Sequence, residues 1–298
     1  MTTPWRSPLD VVLRDAYLAR LGWSSPPPST VDTLHALHRA HVERVPYEVV
    51  WIALGERRTI APLDSVGYLV AGRGGYCYHL NGAFGTLLQW LGFDVRWRVA
   101  GVQGGGVPQP QGATGTHLTV EVHGLPSGAA PHGVWLVDVG LGNALHEPIP
   151  LMAGRHRQGP FTFGLRPSEA VDGGWRFDHF DGARFSGMDF APRLAVAADF
   201  VDQHHELSTS PDSGFVRVVT ASRVDATGIV EQRGLLLERT DSTGVHVTEL
   251  TTRSDWFASM ADNCRLPLSD VDEIRRAALW SRLVADHEHY LSRRAAVQ

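Results

Sequence analysis

The stretch Arg73-Gly74-Gly75-Tyr76-Cys77-Tyr78-His79-Leu80-Asn81-Gly82-Ala83-Phe84 constrains the chain most, because it joins a Gly-Gly turn, one of two cysteines and the start of a helix. From Leu80 the apolar residues recur at Leu80, Ala83, Phe84, Leu87, Leu88 and Leu91, the spacing of a helix with one face on a core. Gly92 stands where a terminating glycine is expected. Cys77 therefore falls at or just before the first turn, where unpaired N–H groups and the positive end of the helix dipole favour an anion. The thiolate is the nucleophilic form of cysteine, so the position suits a reactive thiol. Gly74 and Gly75 permit a close backbone approach that leaves the sulfur reachable. A buried structural cysteine fits the same local pattern. A nucleophile needs a partner.

Bulk properties exclude several classes. A net charge of −5 and the lack of a long basic run argue against a nucleic-acid partner. A small anionic ligand stays compatible, since local charge need not follow net charge. The 43% hydrophobic and 20% charged content is that of a soluble globular protein, and 298 residues allow two or three domains. Cys77 and Cys264 are far apart and make neither a disulfide framework nor a zinc site. Met1 to Arg6 shows no signal pattern, and no apolar run reaches membrane-spanning length. The expectation is a cytoplasmic protein with no membrane partner.

Helical spacing covers residues 9–22, with Leu9, Val12, Leu13, Ala16, Tyr17 and Leu21 on the apolar face. After the Pro26-Pro27-Pro28 spacer a second helix is predicted, capped by Ser29 or Thr30 and ending before Pro46. Its His35, His38 and His41 recur at i, i+3 and i+6. No cysteine or carboxylate cluster joins them, so they are expected on a solvated polar face rather than around a metal. Glu48 is either a surface charge or the ion-pair partner of Arg73 beneath the Cys77 turn.

Beyond Gly92, Asp94–Val99 alternates at period two, as a half-buried strand does. Residues 101–115, rich in Gly, Pro and Gln, are expected to form a mobile loop. Their glycines are followed by no helix, so a dinucleotide-binding turn fails its context test. Two strands follow, 116–122 and 134–139, with turn residues between them. A hairpin centred on residues 127 and 128 would set His117 opposite Asp138 and Val120 opposite Trp135. Cross-strand Cβ atoms lie about 4.5–5.5 Å apart, within reach of an Asp–His hydrogen bond. Together with Cys77 this makes a nucleophile, a base and a carboxylate that orients the base. Gly140-Leu141-Gly142-Asn143 then forms a small-residue turn beside which a ligand could approach the backbone.

Further strands are predicted at 160–165, 175–180, 215–219, 234–239 and 245–250, and a helix within 195–207. A final helix is expected to start from Ser269-Asp270-Val271-Asp272 with Ile274, Leu279, Leu283, Val284 and Leu291 on its apolar face.

These residues resemble the arylamine N-acetyltransferase family. The resemblance rests on Arg73-Gly74-Gly75-Tyr76-Cys77 with Asn81, on Thr116-His117-Leu118, and on Val137-Asp138-Val139-Gly140-Leu141-Gly142. Val45-Pro46-Tyr47-Glu48 and the segment from Ser208 to Phe215 fall in the family's order as well. It implies an α+β fold: a helical domain over 1–92 carrying the nucleophile, a central β-barrel over 93–200 carrying His and Asp, and a C-terminal α/β lid over 201–298. The catalytic core would be like that of cysteine proteases and transglutaminases. It implies the triad Cys77, His117 and Asp138, with Arg73 and Glu48 as a supporting ion pair. Tyr47, Tyr78, Leu141 and Phe215 would line the acyl and acceptor pocket. The backbone at Thr116, Gly140 and Gly142 would approach the cofactor. The activity implied is ping-pong transfer of an acetyl group from acetyl-CoA, without a metal, to an aromatic amine or hydrazine. The chain departs from the family with His79 for Glu, Val49 for Asn and Leu141 for Phe, the last of which changes the pocket's shape. Two sibling chemistries share the triad. One is amide formation from a carrier-protein or longer acyl thioester, and the other is thiol hydrolysis.

Overall fold

The computed structural model describes residues 8–295; the segment 1–6, expected to lack a signal pattern, lies outside them. Helices α1 (Pro8–Leu21) and α2 (Val31–Arg44) match their predicted spans. Thr30 caps α2, its side chain accepting from the Thr33 N–H, and the helix ends before Pro46, whose ring cannot continue it. Val12, expected on the buried face of α1, points outward instead. His38 and His41 are fully buried, which corrects the expectation of a solvated face. Both pack on Phe84, so neutral imidazoles serve here as aromatic core fillers. Among the described residues no cluster of three metal-ligating side chains occurs.

The chain then makes β1 (Tyr47–Glu48), α3 (Val50–Ala53), α4 (Pro62–Val70) and α5 (Cys77–Trp90). Every residue of α5 from Cys77 to Leu88 is buried. One face, with Leu80, Ala83, Phe84 and Leu87, meets α1, α2 and α4, and the opposite side meets the barrel. A helix buried on all sides keeps its polar residues only where they find a use. Gly92, with φ of +88°, ends it in the left-handed conformation that glycine adopts without strain.

Residues 94–194 build β2 (Asp94–Gly104), β3 (His117–His123), β4 (Trp135–Val137), β5 (Ile149–Pro150), β6 (Gly154–Gln158), β7 (Phe161–Pro167), β8 (Trp175–Asp178) and β9 (Phe185–Leu194). They form one antiparallel sheet in the order β5-β4-β3-β2-β9-β8-β7-β6, curled into a nearly closed barrel. β2 runs on to Gly104, so the expected loop over 101–115 is shorter than composition suggested. It is held by pairing with β9 on one side and β3 on the other.

The β3–β4 register differs from the predicted one. Val120 lies opposite Val137 and Val122 opposite Trp135, while His117 pairs with Ala100 of β2. The turn closes between Ser127 and Ala130, whose carbonyl accepts from the Ser127 N–H, rather than on residues 127 and 128. A shift of two residues leaves every side chain on its expected face, because the strand period is two.

A 3-10 turn at Ala197–Phe200 leads into α6 (Val201–Thr209) and then α7 (Gly214–Arg217). The predicted strand over 215–219 is therefore mostly helical: Ser213 caps α7 by accepting from the Phe215 N–H, and the strand begins only at Thr220. β10 (Thr220–Asp225), β11 (Gly228–Arg233), β12 (Leu236–Asp241) and β13 (Gly244–Glu249) follow as a meander. β1 completes this second sheet, Tyr47 opposite Ser222, although it lies far away in sequence. α8 (Arg253–Asp262) and α9 (Glu273–Ala295) cover its other face around Trp256, Met260, Leu279 and Leu283. The cap of α9 is Asp272, whose carboxylate accepts from the Arg275 N–H. Ile274 and Leu291, predicted on its apolar face, are exposed.

Candidate active site

Cys77 is the first residue of α5, with Tyr76 extended as the cap. The two preceding glycines are required by close approach rather than by a special φ. A Cβ at Gly74 would lie 2.0 Å from the Pro46 carbonyl oxygen, and one at Gly75 would lie 2.6 Å from the His79 Cβ. The Gly75 carbonyl accepts from the Glu48 N–H at 2.8 Å, tying the turn to β1. The sulfur is almost buried, 3.9 Å from the Thr116 carbonyl, and lines the same cavity as the His117 ring.

His117 opens β3 and is itself buried. Its Nε2 lies 2.7 Å from Asp138 Oδ2. In the observed register Asp138 just follows β4 and reaches diagonally to a residue on the same face. Burial pulls the His117 pKa down, but the Asp138 carboxylate and the contact with Cys77 outweigh it and push it up to about 10. Burial raises the Asp138 pKa, and His117 and Asn81 more than offset that, leaving it below the usual carboxylate range. Asn81 donates to Asp138 Oδ1 at 2.8 Å and to the Leu118 carbonyl at 2.6 Å, and it accepts from the Val139 N–H at 2.9 Å. One amide thus locks β3, the end of β4 and α5 together. The Gly140 N–H also donates to Asp138 Oδ1, at 2.9 Å. A Cβ at Gly140 would come within 2.6 Å of Asn81 Nδ2 and 2.9 Å of the Cys77 Cα, so the turn has room only for glycine.

Glu48 is fully buried and not a surface charge. Its Oε1 sits 3.9 Å from Arg73 Nε and, closer, 3.2 Å from Arg58 Nη1. Arg58 also donates to the Gly74 carbonyl at 3.1 Å, and Arg73 reaches Asp270 at 2.8 Å. The ion pair beneath the turn is therefore part of a network, which Arg58, Glu56 and Asp270 join although the sequence did not reveal them there. His79 points away from the sulfur into a cage of Trp51, Tyr68, Tyr76 and His204. Burial, and the nearby His204 and Arg58, push its pKa well below the ordinary value. Tyr76 in turn bonds His204 through its hydroxyl.

Cys77 and His117 open into a cavity of about 390 Å³. Of the residues expected around it, Tyr47, Leu141, Phe215, Thr116 and Gly140 line it. Tyr78 does not: it is buried, and its hydroxyl donates to the Gly115 carbonyl at 2.6 Å. Gly142 is also absent from the lining; a Cβ there would meet the Tyr47 ring at 2.7 Å. The sequence did not point to the far wall, where Asn143, Arg184, Phe185, Glu231 and Arg233 converge from the barrel and the second sheet. Asn81 carried a usable signal, since it stands four residues after Cys77 on the same helix face.

An N-acetyltransferase family model matches residues 30–272. The chain is 35% identical over 152 residues to an arylamine N-acetyltransferase of Mycolicibacterium smegmatis, covering 48% of this chain and 51% of that protein. It is 33% identical over 141 residues to one from Escherichia coli K12, covering 46% and 47%. The matched part thus spans about half the length of these relatives. The solved structure of Mycobacterium marinum arylamine N-acetyltransferase in complex with CoA is similar in fold, with a TM-score of 0.78 at 24% identity, over 90% of this chain and 97% of that one. With the family model spanning most of the sequence, the chain belongs to the arylamine N-acetyltransferase family.

Proposed function

We propose that the protein is an acyltransferase that moves an acetyl group from acetyl-CoA to an aromatic amine or hydrazine through an acetyl-cysteine at Cys77. The observation that carries this reading is a thiol at a helix start that shares the lining of a ligand-sized cavity with His117, itself paired to the buried Asp138. The relatives are named as arylamine N-acetyltransferases and one fold neighbour holds CoA, which supports the donor and the acceptor class.

Because Nε2 of His117 is engaged by Asp138, Nδ1 is the nitrogen left for the thiol. It takes the thiol proton, and the thiolate attacks the thioester carbonyl. The free N–H groups of the first α5 turn offer donors to the developing oxyanion. The tetrahedral adduct expels the CoA thiolate, which takes the proton from the imidazolium. In the second half-reaction the amine attacks the acetyl-cysteine, and His117 accepts its proton. The amide leaves and the Cys77 thiolate is restored. Asp138 holds the imidazole's tautomer throughout and stays ionised. Asn81 acts only through Asp138, so it is a positioning residue.

Intact-protein mass spectrometry after mixing with acetyl-CoA and no amine tests the proposal. A gain of about 42 Da, the mass of an added acetyl group, is expected on the wild type and not on Cys77→Ala. No gain, with Cys77 still alkylated by iodoacetamide, would overturn acetyl-CoA as the donor.

A further inference from the structure

Three consecutive residues lead into Cys77, and each is fastened by a different group. The Gly74 carbonyl accepts from Arg58 Nη1 at 3.1 Å, and the Gly75 carbonyl accepts from the Glu48 N–H at 2.8 Å. Tyr76, which caps α5, is held through its side chain: its hydroxyl bonds Nδ1 of His204 on α6. That is the hydroxyl's one hydrogen bond among the described residues, and Tyr76 is fully buried. The other ring nitrogen of His204, Nε2, lies 2.7 Å from the Arg58 carbonyl.

These two contacts fix the tautomer of the ring. A carbonyl only accepts, so Nε2 carries the proton and donates it to Arg58. In the neutral ring Nδ1 is then the acceptor, and the Tyr76 O–H donates to it. Trp51 stacks on the imidazole, with 23° between the planes and 6.1 Å between the centroids. Arg58 serves the turn twice, since its guanidinium holds Gly74 and its main chain holds His204. His204 stands one helical turn before Leu207, and Ser213 Oγ donates to the Leu207 carbonyl at 2.6 Å, joining α6 to α7. Leu207 and Phe215 line the cavity that contains the thiol, and the Phe215 ring meets Tyr76 edge-on at 5.4 Å. One imidazole therefore ties a wall of the cavity to the residue before the nucleophile.

We propose that His204 is a positioning residue for the acylation of Cys77: its ring clasps α6 to the cap of α5 and so sets the thiol against the cavity wall. This rests on the acyl-transfer reading above and adds to it a residue outside the cavity lining. The clasp belongs to the neutral imidazole. Protonation turns Nδ1 into a donor, and the buried Tyr76 O–H loses its acceptor. The titratable and charged groups that face the ring are His79 at 5.8 Å and Tyr78 at 6.4 Å on α5, Tyr76 on the cap, and Arg58 through its carbonyl. His205, on α6 itself, is exposed. Burial lowers the His204 pKa from its ordinary 6.5, with the Arg58 carbonyl opposing. Burial also lowers that of His79 and raises those of Tyr76 and Tyr78, so all three stay neutral at neutral pH. The clasp is whole above about pH 6.5 and opens only in acid.

His204→Phe keeps a ring beside Trp51 and removes both bonds. At about pH 7.5, where the wild-type ring is neutral, the rate of Cys77 acetylation by acetyl-CoA, read by intact-protein mass, is expected to fall about 10-fold. A misplacement of about 1 Å can cost about 100-fold, and here Gly74 and Gly75 keep their own fastenings. Tyr76→Phe should also slow the reaction, and the double variant should lose no more than His204→Phe alone, because both changes break one bond. The ratio of wild-type to His204→Phe rates should approach one as pH drops from about 7.5 to about 5, since the wild type then loses its clasp as well. His205→Gln should leave that profile unchanged. A ratio constant with pH, additive losses in the double variant, or a His204→Phe rate equal to that of the wild type overturns the proposal. His204→Gln, with an acceptor and a donor on one side chain, should retain more of the rate, and it replaces the phenylalanine variant if that one does not fold. Hydrogen exchange reads the clasp without any acyl transfer. The α6 amides should exchange about 5-fold to 150-fold faster in His204→Phe, the range for two lost hydrogen bonds. Unchanged exchange overturns the clasp. Faster exchange in a protein whose wild-type Cys77 acetyl-CoA leaves unmodified upholds it, in which case the acyl-transfer reading alone has failed.

Discussion

Two buried histidines flank the same thiol and behave in opposite ways. His117 and His79 are both almost inaccessible, and both lose the solvation that stabilises an imidazolium. His117 has a carboxylate 2.7 Å away, and its pKa rises to about 10. His79 has aromatic rings around it, and its pKa falls well below 6.5. Burial alone therefore makes a neutral packing element, and burial with a buried counter-charge makes a base that can carry a proton. Neither the residue type nor its distance from Cys77 in sequence separates the two, for His79 is the nearer in the chain.

The comparison breaks most sharply at Asp138. In Asp138→Asn the carboxylate that distinguishes the two histidines is gone while the shape remains. Acyl transfer is expected to fall by about 10⁴-fold, measured as kcat/KM with acetyl-CoA and an arylamine. The same variant should change alkaline stability. A raised pKa means that the His117 contribution is complete below about pH 6.5 and lost as pH rises toward about 10. Denaturant titrations from pH 7 to 10 should show a decline in the wild type that Asp138→Asn flattens.

A smaller effect is expected where the geometry, and not the charge, is disturbed. Gly140→Ala puts a methyl group against Asn81 and the Cys77 backbone and should cost about 1–3 kcal/mol of stability, as overpacking does. A melting temperature equal to that of the wild type would show that the turn is looser than described.

On the other side of the thiol, His79→Phe should leave the acylation rate within about two-fold and alter the acid limb of stability. Above pH 6.5 His79 is neutral in both the folded and unfolded chain. Below it the unfolded chain takes up a proton that the folded one refuses, so stability falls as pH falls. The variant should reduce that slope by at most about 1.4 kcal/mol per pH unit. His38, whose pKa burial lowers to about 4 despite the His146 carbonyl, adds a similar slope between pH 6.5 and 4. An unchanged slope in His79→Phe would mean that His79 is protonated in the folded protein.

Cys264 gives the smallest effect. It is buried near the Ala221 carbonyl, and burial pushes its pKa up to about 12. Cys264→Ala should keep full activity at a stability cost of about 1 kcal/mol, read by denaturant midpoint. Iodoacetamide labelling of Cys264 in the native protein would contradict its burial.

The sequence by itself determined the local elements and their faces. Period 3.6 from Leu80 predicted the helix that begins at Cys77, and Gly92 marked its end. Period two in 116–122 and 134–139 put His117 and Asp138 on one face, even with the register two residues off, because that error preserves the face. These features depend on near neighbours in the chain, which a sequence displays directly. Tertiary structure alone decided the rest. β1 pairs with a strand more than 170 residues later, which brings Tyr47 to the cavity wall. Arg58 reaches Glu48, and His38 and His41 turn inward onto Phe84. Whether a polar side chain is paired, exposed or stranded depends on groups distant in sequence and on the dielectric that packing creates around it.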